Sequence, residues 1–163
     1  DEVTPGLIEK RFDLCIGFDD EFDPRIRRRT INAVGLALLA RRGEFPDTQE
    51  CLSPQVLDGR EMIGLRDSGP DANRVEQYLD QADVKALVAI TAQTYYVAAE
   101  LVKLGAGVAI VDGFTAKRFS SADLRSYALE GSPMLPFVVM TLAEQSDGPL
   151  VEASLDTLER LFG

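Results

Sequence analysis

The chain has 163 residues, 45% of them hydrophobic, which suffices for the core of one ordinary domain or two small lobes. Its 17 basic against 27 acidic residues give a formal charge of −10, which argues against DNA contact by this chain alone. The lack of histidine excludes a Cys/His pair, a Ser/His/Asp triad and a His-ligated zinc site.

In chain order, "VTPGLIEK" predicts a short helix, with Thr4 as cap and Pro5 at the first helical position. "FDLCIGF" reads as a strand covered on both faces, with Cys15 a small buried hydrophobe, and it ends in the acidic turn "DDEFDP". "RIRRRTI" and "VGLALLARR" read as two extended segments. Cys51 falls in a loop before "LSPQVLDG", a compact helix with Ser53 as cap, Pro54 in the first turn, Leu57 inward and Gly59 as terminator. The strand "EMIGL" follows, then a helix over "ANRVEQYLDQA" with Val75, Tyr78, Leu79 and Ala82 on one stripe.

"VKALVAI" is the next predicted buried strand. The helix "AQTYYVAAELVKL" stacks Val97, Ala98, Leu101 and Val102 and stops at Gly105, placed as its left-handed C-terminal residue. "GVAIV" gives a strand, "FTAKRFS" a shorter helix, and "LRSYALE" and "PFVVMTLA" two more strands. "GPLVEASLDTLERLF" closes the chain as an amphipathic helix, with Glu152 and Arg160 placed to suit its dipole.

Apolar strands alternating with amphipathic helices predict an α/β sheet covered on both faces. In open parallel sheets ligands settle at the carboxyl ends of strands, where helix N-termini present backbone N–H groups. Four predicted strand ends carry polar turn residues: Asp19; Arg66 to Asp71, including Asp67 and Ser68; Thr91 to Thr94, including Gln93; and Asp112 to Thr115. Each also has a plainer explanation. Thr91, Gln93 and Thr94 cap a helix, Asp67 and Ser68 make a turn, and Asp112 with Gly113 is a turn pair. Asp19 and Asp20 point to opposite faces of an extended chain, so at most one faces a ligand readily. The arginines of "RIRRRT" read as a solvated surface or as ion-pair partners of "DDEFD".

Read in order, "EKRFDLCIGFDDEFDPRI", "VGLALLARRG", "LSPQVLDGREMIGLRD", "ITAQTYYVAAELVKLGAGVAIVDGFTA" and "LPFVVMTLA" resemble the effector-binding domain of LysR-type transcriptional regulators. The most telling pieces are Arg11, Phe12 and Asp13 leading into Leu14, and the helix followed by "LGAGVAIV". "LARRGEFPD" departs from the pattern, because many members carry a histidine there.

The resemblance implies an α/β, two-lobed, type 2 periplasmic-binding-protein-like fold with a small-molecule effector between the lobes. The first lobe would be residues 1–24 and 118–163, incomplete at its start, and the second 25–117. The winged helix-turn-helix of the family would precede Asp1, so DNA would be reached only through a domain absent from this chain. It also implies a homodimer or tetramer. "VDGFTA" is similar to family members that sense amino acids or opines, which would need a carboxylate for the ammonium group and N–H donors for the carboxylate.

The expected site is therefore Asp19, Asp67, Ser68, Thr91, Gln93, Thr94, Asp112 and Thr115. No catalytic residue, metal or cofactor is expected, and no membrane partner, since no apolar run approaches the roughly 18 residues of a span. "DEVTPGLIEK" lacks a signal-peptide layout, so the expected location is the cytoplasm. The rival reading is a solute-binding protein or small enzyme on the same fold.

Overall fold

The computed structural model describes residues 3–18, 23–66, 70–144 and 148–162. The chain divides into two compact units, Asp1–Val34 with Leu135–Gly163, and Gly35–Met134. The resemblance implies lobe bounds at residues 24/25 and 117/118. In the structure the division falls inside one strand and at the start of another.

In the first unit, α1 (Val3–Ile8) leads to β1 (Cys15–Phe18), which pairs antiparallel with β8 (Met134–Leu142). The first part of β2 (Ile26–Arg41) lies on the other side of β8. Leu7, Ile26, Val138 and Met140 form the core, with Cys15 and Leu142 packed against it. The helix α5 (Pro149–Phe162) carries Glu152 in its first turn and Arg160 in its last, as its pattern predicts. Leu155 faces inward, and the Phe162 ring meets Phe137 at 5.1 Å.

The strand predicted over residues 12–18 is shorter and not covered on both faces, since Ile16 is 46% exposed. Cys15 is half-buried, and burial pushes its thiol pKa up. "RIRRRTI" and "VGLALLARR" are one strand rather than two, because β2 runs without a break through both. The arginines Arg25, Arg27 and Arg29 are held by ion pairs and a carbonyl. Arg25 grips Asp23, Arg27 donates to the Ala143 carbonyl at 2.7 Å, and Arg29 pairs with Glu159 of α5.

The second unit is built on β5-β4-β6-β2-β7-β3. The strand β4 (Glu61–Leu65) runs parallel to both β5 (Leu87–Ala92) and β6 (Val108–Asp112). The second part of β2 runs antiparallel to β6 and to β7 (Leu124–Leu129), and β3 (Cys51–Leu52) pairs parallel with β7. Cys51 is thus an exposed strand residue rather than part of a loop. The core is mainly apolar, with Leu36, Leu38, Leu39, Ile63 and all of Val108 to Val111 buried.

Three expectations change here. "LSPQVLDG" forms one 3-10 turn, Pro54–Leu57, and Ser53 makes no side-chain cap bond, although Leu57 is fully buried as expected. The β5 strand is exposed over Leu87–Thr91 rather than buried; among the described residues it pairs with β4 alone and stands at the sheet's edge. The helix α3 (Tyr95–Lys103) buries Tyr95, Ala98, Ala99 and Val102, leaving Val97 44% exposed. That i, i+3, i+4, i+7 set is a proper helical stripe, rotated from the expected one. In α2 (Pro70–Gln81), Val75, Tyr78 and Leu79 are buried as predicted, and Ala82 is half-buried just beyond its end. The Tyr78 hydroxyl donates to the Glu130 carbonyl at 2.7 Å, and burial pushes its pKa up to about 12.

Gly105 ends α3 as expected, at φ +83. Its N–H bonds the Val102 carbonyl, and the Ala106 N–H bonds the Leu101 carbonyl. This pair of reversed bonds closes a helix through a left-handed residue, which glycine adopts without steric cost. The chain can then turn at once into β6.

Candidate functional site

The parallel trio β5-β4-β6 fixes where its carboxyl ends lie. They emerge along one edge of the second unit, and α3 and α4 (Gly113–Phe119) start directly after β5 and β6. Thr91 to Thr94 and Asp112 to Thr115 therefore share that edge, with the end of β4 between them. Two ladder spacings separate β5 from β6, about 10 Å. Arg66 follows the end of β4, and its N–H bonds the Ala92 carbonyl at 2.9 Å.

Thr94 is the cap of α3. Its backbone is extended, its hydroxyl accepts the Val97 N–H at 3.2 Å, and its carbonyl accepts the Ala98 N–H. A helix leaves its first N–H groups outside its own hydrogen bonding, and together they carry partial positive charge. Thr91, Gln93 and Thr94 are all exposed, so polar groups and a helix N-terminus face solvent side by side. Tyr95 turns inward at 6% exposure, whereas Tyr96 is 58% exposed and meets the Phe119 ring edge-on at 5.1 Å.

Asp112 behaves differently, being only 4% exposed. One carboxylate oxygen accepts the N–H groups of Phe114 at 2.9 Å and Thr115 at 3.0 Å, and the other accepts the Thr115 hydroxyl. The carboxylate is thus engaged by its own turn, and Asp112 sets the direction in which α4 leaves the strand. Thr115 is half-buried and shares that turn. Asp19, Asp67 and Ser68 lie outside the described residues. Arg66 was named in the sequence only as the start of a turn. The signal for it was a cation directly after an apolar strand, "MIGLR".

Among the described residues no group of three or more His, Cys, Asp or Glu side chains could hold a metal ion. Among them, too, no helix is long and apolar enough to cross a membrane.

A mixed α/β unit whose parallel strands end beside helix N-termini has the layout of a ligand-binding domain. The family model of the LysR substrate binding domain matches residues 1–163, and the chain belongs to that family. Its fold is of the type 2 periplasmic-binding-protein-like class. It is 32% identical over 141 residues to the HTH-type transcriptional regulator DgcR of a Pseudoalteromonas species, covering 86% of this chain. The chain spans 48% of the length of that curated relative.

Among solved structures it is similar to the CcmR regulatory domain of Synechocystis PCC6803 in complex with 2-PG. The TM-score is 0.82 at 14% identity, over 99% of this chain and 78% of that one. The effector binding domain of QuiR in complex with shikimate gives 0.78 at 14% identity, over 99% and 77%. At such identities these two likenesses speak for the fold.

Proposed function

We propose that this chain is the effector-sensing part of a LysR-type transcriptional regulator, and that it binds a small metabolite at the carboxyl edge of β5-β4-β6. The observation that carries the reading is the exposed Thr91–Gln93–Thr94 segment at the N-terminus of α3, beside the end of β4 with Arg66. Hydroxyls, a carboxamide, helix N–H groups and a guanidinium together suit a ligand carboxylate. For an amino acid or an opine-like conjugate, these groups would hold the carboxylate end. Family membership and the two relatives that hold small molecules support the same reading.

The mechanism is a population shift. The effector favours one conformation of the sensing domain by binding it more tightly, and the bias passes through a homodimer or tetramer to a DNA-binding domain outside this chain. DNA is contacted by that domain and not by this acidic one, and the protein works in the cytoplasm. The proposed role is sensing rather than catalysis, since the sequence offers no histidine to activate a nucleophile.

The test is a thermal-shift screen of this chain with amino acids, opines and aromatic acids. A ligand at 100 times its dissociation constant should stabilise the fold by about 2.7 kcal/mol. A flat response across the panel would count against this choice of ligand class.

A further inference from the structure

At the other end of the second unit lies an open groove of about 530 Å³, lined by Arg42, Glu50, Ser120, Ser121, Arg125 and Ser126 along with Leu124. The register places it far from the candidate effector site. Leu36 of β2 stands opposite Asp112, and Arg42 lies six residues further along the same strand direction, about 20 Å away.

Arg125 lies in β7, and Arg42 directly follows the end of its antiparallel neighbour β2. Ala40 pairs with Arg125, and the Arg42 N–H bonds the Asp123 carbonyl, so the two arginines are diagonal neighbours on one sheet face. Two cations so placed repel each other unless an anion is shared between them. Asp47 supplies that anion, but loosely: one of its oxygens lies 3.6 Å from Arg42 and 3.4 Å from Arg125. Charge-assisted bonds between such groups settle at about 2.7–2.9 Å. Asp47 is also 53% exposed, free to swing outward.

Each arginine also has a carbonyl partner. Arg125 donates to the Gln49 carbonyl at 3.1 Å and lies over the Tyr127 ring, and Arg42 reaches the Ser121 carbonyl at 3.4 Å. The Ser121 hydroxyl oxygen accepts the N–H groups of Asp123 and Leu124, which leaves its proton to donate. Ser120 donates to the Ala116 carbonyl and sits 2.9 Å from the Ser126 hydroxyl, fixing the groove's floor.

We propose that this groove is a second binding site, taking a small monoanionic carboxylate that replaces Asp47 between Arg42 and Arg125. Charge sets the class. Glu50 also lines the groove and Asp47 stays tethered beside it, so a second negative charge on the ligand is repelled.

The test is a ¹H–¹⁵N NMR titration of this chain with acetate and, separately, with inorganic phosphate at pH 8 and constant ionic strength. Acetate should produce saturable shifts in the Arg42 and Arg125 Nε–H signals and at Ser121, with phosphate binding more weakly. Arg42→Gln and Arg125→Gln should each weaken acetate binding about tenfold. Asp47→Asn, which removes the competing carboxylate and leaves both arginines, should tighten it about threefold or more. Shifts that never saturate, an Asp47→Asn variant that binds no better, or tighter binding of phosphate than of acetate would each overturn the proposal.

Discussion

Asp112 and Thr115 hold each other twice: one Asp112 oxygen accepts the Thr115 N–H at 3.0 Å, and the other accepts the Thr115 hydroxyl. The double contact closes the first turn of α4 onto the end of a fully buried strand. Cap carboxylates accept donors that the helix itself cannot satisfy. Asp112→Ala is therefore expected to cost about 2 kcal/mol in urea unfolding, at the upper end for a cap because the site is buried. Asp112→Asn keeps an oxygen for the two N–H groups and should cost less. An alanine variant as stable as the parent would show that the cap contributes nothing.

Gly105 offers a second check. Its φ of +83 lies where a Cβ is strained, and a Cβ there would also stand 3.0 Å from the Arg41 guanidinium. Gly105→Ala should destabilise the chain by about 1–2 kcal/mol, read as a lower denaturation midpoint at unchanged slope.

The Asp23–Arg25 pair gives a pH signature. Hydrogen bonds from the Arg25 side chain and N–H hold the Asp23 carboxyl down at about 2, against an ordinary 3.8. A depressed carboxylate contributes stability at pH above its unfolded value, and that contribution disappears as pH falls through the folded value. The pair thus helps the fold above about pH 4, and its help is lost between there and about pH 2. Carbon-detected titration should place Asp23 near the low value, and Arg25→Ala should return it toward 3.8.

The order of helices and strands was legible because each element carries its own local signal. The stop of α3 at Gly105 could be read from one residue, since only glycine takes that backbone conformation cheaply. What failed needed knowledge of neighbours. "VKALVAI" is apolar enough for a central strand, but its place at the edge is set by which strands pair with it, and Leu87 and Val88 are more than half exposed. The unbroken run of β2 was not legible because its arginine-rich first part and its apolar second part differ in pattern and read as two extended segments. The anchors of Arg27 and Arg29, the Ala143 carbonyl and Glu159, are far away in sequence.

The candidate site divides along the same line. Thr94 as the cap of α3 followed from a polar residue before an apolar helical face. The inward commitment of the Asp112 carboxylate did not follow, because an aspartate at a strand's end reads alike whether it serves a ligand or its own helix.

The central claim is that a small metabolite binds at the carboxyl edge of β5-β4-β6. Backbone ¹H–¹⁵N NMR mapping of a ligand found by thermal shift tests it most directly. The expected result is that the largest shifts fall at Thr91, Gln93, Thr94, Arg66 and Gly113 to Thr115, and that Thr94→Ala weakens binding while costing about 1 kcal/mol of stability. A ligand that binds this chain while leaving those signals unmoved would contradict it.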